Sequence, residues 1–528
     1  MNERPAVNAI VGRMMLAFEG EQVPEWMATR LGSAPAAGVS LFPSLNVRSP
    51  GQVRELTDAL QRATAAAGFP GPFLVAADQE GGQLIGLGHA TTAFAGNMAL
   101  GAVDDPALTE QVGAAIGREA RAMGVNVVYA PVLDLASEPT NPALGTRSFG
   151  DDPALVARQG VALIRGLQSS GVAATGKHFP GHGEITQDPH HALGAVELSR
   201  PELEARTFVP FRAAIAAGLK VMMSGHVAVP AVTGDPTLPA TLSRAAMHDL
   251  LRTEMGFSGL SISDALDMHA IAQGSAQSVE VIAAVRGGLD LLLSTADREA
   301  QERIQATLVA CVSRQLFDPG EMEASTARLA ALRRWLADAG PAPDVDIVGG
   351  TEHRALSRTL AERALTRLDD GAAPIRLERS TRLLAIMPEP RDLTPADTSS
   401  AVEPGLARAL RARFDSVDEV VVSVAPSDDE IAAVRAHATS GAVDTVVVGT
   451  IEAHRQPAQA ELVAALAGTG MPTVAVAMRT PWDAAVYPAG VPAIATYSIN
   501  PDPLEALARS LAGEIPTPGR APVKIAGP

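Results

Sequence analysis

The stretch from Gly176 to Leu193, GKHFPGHGEITQDPHHAL, gathers four histidines, a lysine, a glutamate and an aspartate into eighteen residues of a chain that holds 11 histidines in all. Groups of this kind bind metal, grip phosphate or move protons. As a metal site the segment is weak. His178 and His182 stand four apart, the spacing that sets two ligands on one helix face, but Phe179, Pro180, Gly181 and Gly183 disfavour a helix there. A zinc set of His182, Glu184, Asp188 and His190 is the alternative, and the less favoured one. Acid–base work suits the pattern better. Asp188 and His190 flank Pro189, which restrains the backbone between them. A carboxylate beside an imidazole orients the ring and helps it hold a proton for delivery to a leaving group.

A second chemical element is GFSGLSISDALDMHAI. Asp264 closes a short apolar run, where a carboxylate can act as nucleophile or as electrostatic partner to a developing cation. Asp267, three residues on, is the rival, and its better reading is an acid at a helix start.

These residues need elements to position them. Up to about residue 338, eight apolar runs alternate with helical spacing: AIVGRMMLAF, GVSLFP, FLVAAD, VNVVYAP, VAATGKH, KVMMSGH, LSISD and LDLLLS. Alternation of this kind implies parallel strands, and eight of them a (β/α)8 barrel. Asp78, Lys177 with His178, His226 and Asp264 each close one of the runs. Strand C-termini converge on one face of a barrel, and charged groups there are costly unless that face opens onto a polar site. Residues 339–350, AGPAPDVDIVGG, have linker composition. The expected organisation is therefore a barrel over 1–338, a linker over 339–350 and a second domain over 351–528. In that second domain RLLAIMP, EVVVSV, DTVVVGT, PTVAVAM and PAIATYS, separated by helical stretches, suggest an open, mostly parallel α/β sandwich.

Composition narrows the function classes. A net charge of −17 argues against a nucleic-acid partner. The single cysteine, Cys311, excludes an intramolecular disulfide and a cysteine-rich metal site, and its apolar setting reads as a buried thiol on a helix. No run reaches the roughly 18 apolar residues of a membrane span, and the N-terminus lacks a secretory pattern, so a cytoplasmic protein without a membrane partner is expected. Aromatic residues make up only 3% of the chain, which favours a small pocket over an extended groove lined with ring faces.

KHFPGHG with the downstream DPH, GFSGLSISDALDM, DQEGG and YAPVLDL…RSFG together resemble glycoside hydrolase family 3, in particular its β-N-acetylglucosaminidase branch. The resemblance runs in order through the first domain and more loosely into the second. It implies a retaining exo-glycosidase that removes terminal β-N-acetylglucosamine through a covalent glycosyl-enzyme, and with the expected cytoplasmic location it points to cell-wall fragments and peptidoglycan recycling. Asp264 matches the nucleophile, and His190 with Asp188 the acid/base dyad; His191 is the neighbouring choice, which spacing from Asp188 disfavours. Asp78, Arg147, Lys177 and His178 match positions that hold sugar hydroxyls, and His226 at its strand end joins them as a substrate-binding candidate. Neither a metal nor another cofactor is expected, and the partner is a small saccharide. The branch commonly continues DQEGG with two arginines, where this chain has Gln83 and Gly86. Phosphorolysis or β-glucosidase action on the same scaffold, and a silent sugar-binding protein, are the rival readings.

Overall fold

The computed structural model describes residues 4–271, 273–369 and 375–525. All eight apolar runs of the first half carry strands: β1 Met14–Leu16, β2 Gly38–Leu41, β3 Leu74–Ala77, β4 Val127–Val128, β5 Ala173–Phe179, β6 Val221–Ser224, β7 Leu260–Ile262 and β8 Leu292–Leu293. They pair in parallel in the order β8-β1-β2-β3-β4-β5-β6-β7, and a parallel bridge from Ile262 to Leu291 closes the ring. The expected barrel is present.

Its packing follows from the two-residue period of a strand. Leu74 and Ala76, Val127 and Tyr129, Val221 and Met223, Leu260 and Ile262, and Leu291 and Leu293 fall in one buried cluster inside the ring. The intervening Val75, Ala77, Val128 and Met222 join the layer formed with the surrounding helices. The helix Pro319–Ala337 lays Leu329, Leu332 and Leu336 against the interior cluster and plugs one end of the barrel. The outer helices Pro106–Ala122 and Pro153–Ser169 start in the same way. Asp105 and Asp152 accept hydrogen bonds from first-turn N–H groups, with proline opening each helix. They approach so closely that a Cβ on Gly166 would lie 2.2 Å from the Glu110 carbonyl oxygen.

The first run behaves differently from the expectation. Only Met14–Leu16 is strand, while Arg4–Val11 is helix. Val7, Ile10 and Val11 stand at i, i+3 and i+4, a stripe on a helix that begins before the apolar run and takes in its first three residues.

In the second half all five expected runs are parallel strands, and a sixth, Thr366–Arg367, adds antiparallel at one edge. The order across the sheet is Thr366–Arg367, Ala493–Ala495, Thr473–Ala477, Thr445–Thr450, Arg382–Pro388 and Ser416–Val422. Alternate residues feed two apolar layers: Leu383, Ala385, Met387 and Val447 on one face, Leu384, Ile386, Val446 and Val448 on the other. A sheet buried on both faces is the α/β sandwich read from the near-continuous apolar runs.

The halves are tied by buried polar contacts. Glu119 in the barrel accepts from Gly349 N at 3.0 Å and meets His353 Nδ1 at 2.7 Å. His353 lies on the helix Thr351–Ala364. The chain then returns to the barrel near its end, where Arg520 N donates to the Ala102 carbonyl and Asp151 N to that of Pro522. Cys311 is buried on the helix Arg298–Ser313, as expected. Among the described residues no helix is long and apolar enough to cross a membrane.

Candidate active site

The C-terminal ends of β3, β5, β6 and β7 deliver Asp78, Lys177, His178, His226 and Asp264 to one cavity of about 790 Å³, with Arg147 reaching it from the short helical turn Gly145–Arg147. His190 lines the same cavity from the loop after β5. Every residue expected to act on or hold the substrate lies in this wall except Asp188, which stands behind His190.

Lys177 anchors one side. Its Nζ contacts Asp78 Oδ1 at 2.5 Å and Glu80 Oε1 at 2.7 Å. Arg147 grips Glu80 through one edge of its guanidinium, Nε donating to Oε2 at 2.9 Å and Nη2 to Oε1 at 2.8 Å. Burial alone would raise the Glu80 carboxyl, but the charges and hydrogen bonds of Arg147 and Lys177 hold it down to about 2. Asp78 is the more exposed carboxylate, with one oxygen left for the cavity. Sequence reasoning did not single out Glu80, although DQEGG contains it; the signal was two buried cations in need of a charge between them. Removing that charge with Glu80→Gln leaves the buried Arg147 without its carboxylate and Lys177 with Asp78 alone, and a loss of about 3–5 kcal/mol is expected. Urea unfolding of the variant measures it, and an unchanged midpoint would contradict the role.

His178 is held by Asp134, another residue the sequence reading passed over. Its Nδ1 lies 2.7 Å from Asp134 Oδ2, and its backbone N donates to the same oxygen at 3.1 Å. His182 Nε2 lies 2.9 Å from His178 Nδ1. Burial and the neighbouring His182 hold the His178 imidazole down to about 4, against the pull of Asp134, so it is neutral at ordinary pH. The zinc set weighed from sequence is not assembled. Among the described residues, only Asp134, His178 and His182 bring potential metal-ligating atoms within 4.8 Å of one another.

His226 departs from its expected role. Its Nδ1 meets Thr241 Oγ1 at 2.8 Å, and its Nε2 meets the Ala265 carbonyl at 3.0 Å. With both nitrogens engaged, the ring braces the Asp264–Ala265 backbone and offers a sugar no polar atom. The neighbouring strand adds to the brace, since Asp264 N donates to the Ser224 carbonyl at 3.2 Å. Ala265 N donates to Asp264 Oδ1 at 2.8 Å, leaving Oδ2 toward the cavity. Burial raises the Asp264 carboxyl, but His178, His226, His190 and the Ala265 N–H outweigh it, so the group stays below its ordinary value and ionised.

The Asp188–His190 pair forms within one turn. Asp188 Oδ1 accepts from His190 N at 2.9 Å and lies 2.6 Å from His190 Nδ1. Burial pushes Asp188 up, but its hydrogen bonds from His190 bring it below the ordinary range, so it remains a carboxylate. His269 N donates to the His190 carbonyl at 3.2 Å, pinning the turn to the segment after β7. His191 makes no such pair and is exposed. The geometry selects His190.

The family model described as "Glycosyl hydrolase family 3 N terminal domain" matches residues 20–332. The chain belongs to glycosyl hydrolase family 3. It is 30% identical over 390 residues to the Beta-hexosaminidase A of Pseudoalteromonas piscicida, a stretch covering 70% of this chain and 65% of that protein. It is 29% identical over 479 residues to a Beta-N-acetylglucosaminidase/beta-glucosidase of Cellulomonas fimi, covering 86% of this chain and 83% of that one. The solved structure of a glycoside hydrolase family 3 beta-N-acetylglucosaminidase from Paenibacillus sp. str. FPU-7 superposes with a TM-score of 0.92 at 34% identity over 98% of each chain.

Within this family 3 frame, the two departures at Gln83 and Gly86 have structural causes. A Cβ on Gly86 would lie 2.3 Å from the Asp78 carbonyl oxygen, which accepts from Gly86 N at 2.7 Å. No side chain fits there, so no arginine reaches the sugar from that position. Gln83 turns to the second domain instead. Its Nε2 donates to the Ala396 carbonyl at 3.3 Å, and its Oε1 accepts from Thr146 at 2.9 Å. Its carbonyl accepts from Thr398 N at 2.8 Å. The segment 392–401 thereby forms part of the cavity wall. It is stiff, since Arg479 bonds Asp397 and Ser399 at 2.6 Å each.

Proposed function

We propose that this protein is a retaining exo-β-N-acetylhexosaminidase, with Asp264 as nucleophile and His190, oriented by Asp188, as general acid and base. One observation carries the reading. An imidazole locked at 2.6 Å onto a carboxylate opens onto the same cavity as an ionised, backbone-pinned aspartate. The names borne by the family 3 relatives support the sugar.

In the first step Asp264 Oδ2 attacks the anomeric carbon and the bond to the leaving oxygen breaks, while the proton on His190 Nε2 passes to that oxygen. Nδ1–H stays hydrogen-bonded to Asp188, which fixes the ring with Nε2 turned to the cavity. In the second step Nε2 takes a proton from water, whose oxygen bonds to the anomeric carbon and releases Asp264. Asp78, Arg147 and Lys177 hold the hydroxyls through charge-assisted bonds, and the neutral His178 adds an ordinary one, together placing that carbon against Asp264.

The segment 392–401 bounds the side of the cavity left for the leaving group. A small saccharide suits it, since Phe42 is the one Phe, Tyr or Trp among the described lining residues. Gln83→Ala removes one side-chain hydrogen bond to this wall, at Ala396, and one to Thr146, each worth about 0.5–1.5 kcal/mol. KM for a disaccharide is expected to rise severalfold while kcat on an aryl glycoside changes little. An identical KM on both substrates would separate the wall from leaving-group binding.

The function is tested by 4-nitrophenol release from the β-N-acetylglucosaminide and the β-glucoside, with and without phosphate. Free N-acetylglucosamine at a higher kcat/KM than glucose is the expected product. A sugar 1-phosphate would make the protein a phosphorylase, and preference for the glucoside would overturn the sugar assignment.

A further inference from the structure

Asp134, His178 and His182 present more lone pairs than their protons can satisfy. His178 Nδ1 stands 2.7 Å from Asp134 Oδ2 and 2.9 Å from His182 Nε2, and the last two atoms are 3.6 Å apart. If the proton on His178 Nδ1 points to Asp134, then His182 Nε2 has no donor of its own. If His182 Nε2 carries a proton to His178, a bare nitrogen lone pair faces a carboxylate oxygen. His182 Nδ1 is buried without a partner among the described residues, so nothing in the protein fixes the tautomer of that ring. The three side chains are almost wholly buried, where such a conflict is not relieved by water.

A divalent cation relieves it. The point equidistant from the three atoms lies about 1.8 Å from each, by the distances above. An ion at the ~2.0–2.1 Å typical of zinc fits by rising about 0.9 Å out of their plane, with no ligand displaced. Two imidazoles and one carboxylate are a donor set for zinc and its neighbours, not for calcium or magnesium. We propose that Asp134, His178 and His182 form a zinc-class cation site in the wall of the sugar cavity, and that filling it opposes turnover.

The opposition follows from two effects, and rests on the catalytic reading of Asp264 given above. Metal on His178 Nδ1 forces the ring proton to Nε2, so the nitrogen facing the cavity changes from acceptor to donor. A dication beside the sugar also disfavours the positive charge that develops at the anomeric carbon, and it weakens a carboxylate nucleophile.

The test uses the full-length chain, stripped with chelator and dialysed against micromolar Zn²⁺, with bound metal measured directly. One equivalent retained, a raised melting temperature, and turnover lowered at least about tenfold and restored by EDTA are expected. His182→Gln should retain zinc more than about tenfold less tightly. His190→Gln should retain it as the parent does, which excludes a site at the Asp188–His190 pair. No zinc held by the parent, or equal retention in His182→Gln, overturns the site. Loss of zinc in His190→Gln overturns it independently, and decides the matter should His182→Gln fail to fold. Zinc held at one equivalent without inhibition keeps the site and refutes its effect. Because retention is read without substrate, this outcome is separate from any failure of the glycosidase reading.

Discussion

Asp264→Ala is expected to lower kcat by about 10⁴-fold or more, roughly 5.5 kcal/mol of transition-state stabilisation at 1.36 kcal/mol per tenfold. The size follows from what Asp264 alone provides. Its backbone N is tied to Ser224 and its Oδ1 to Ala265 N, so Oδ2 is aimed without further ordering. Its carboxyl stays below the ordinary range despite burial. Asp267, three residues on, is the control. It hydrogen-bonds Thr295 Oγ1, and burial, with added repulsion from Asp264, raises its carboxyl. A carboxylate already engaged by the Thr295 hydroxyl is less free to attack, so Asp267→Ala should cost far less. The alanine at 264 also leaves space for a small anion. Azide should restore part of the rate and yield an α-glycosyl azide, inverted relative to the substrate. A large loss at 267 with near-normal turnover at 264 would reverse the assignment.

The sequence yielded the parts of this site that lie on strands and within one loop. A charged residue closing an apolar run is visible locally, and Asp78, Lys177, His178 and Asp264 all proved to stand on one face because barrel strands share a direction. Asp188 and His190 are two residues apart, so their pairing needed no knowledge of the fold. What stayed hidden were the partners that burial demands. Glu80 is nearly a hundred residues from Lys177, and Asp134 is 44 from His178. Neither spacing carries a local signal. His226 misled for the converse reason. Its strand-end position was read correctly, but its ring is consumed by Thr241 and the Ala265 carbonyl, which only packing reveals. The wall at 392–401 comes from a bond made over 313 residues, Gln83 to Ala396, which no periodicity encodes. The departure at Gln83 was legible as a difference, and its meaning became clear only once the second sheet was placed.

His190→Ala should separate substrates by leaving group. General acid catalysis contributes roughly 10²–10⁴-fold, and most where the departing oxygen would otherwise leave as a strongly basic alkoxide. For a disaccharide, kcat/KM is therefore expected to fall about 10³-fold. 4-Nitrophenolate leaves readily without a proton, so kcat/KM on its glycoside should fall less than about tenfold. The two steps of a retaining reaction make the result more specific. In the proposed mechanism His190 also serves as base when water attacks the glycosyl-enzyme. On the aryl substrate the second step then limits, so kcat and KM should fall together, with a burst of nitrophenol equal to one enzyme equivalent. Asp188→Ala should give a weaker form of the same pattern, because the imidazole stays at the cavity but loses the carboxylate 2.6 Å from Nδ1 that orients it. Equal losses on both substrates, without a burst, would mean that His190 positions the sugar and some other group moves the proton.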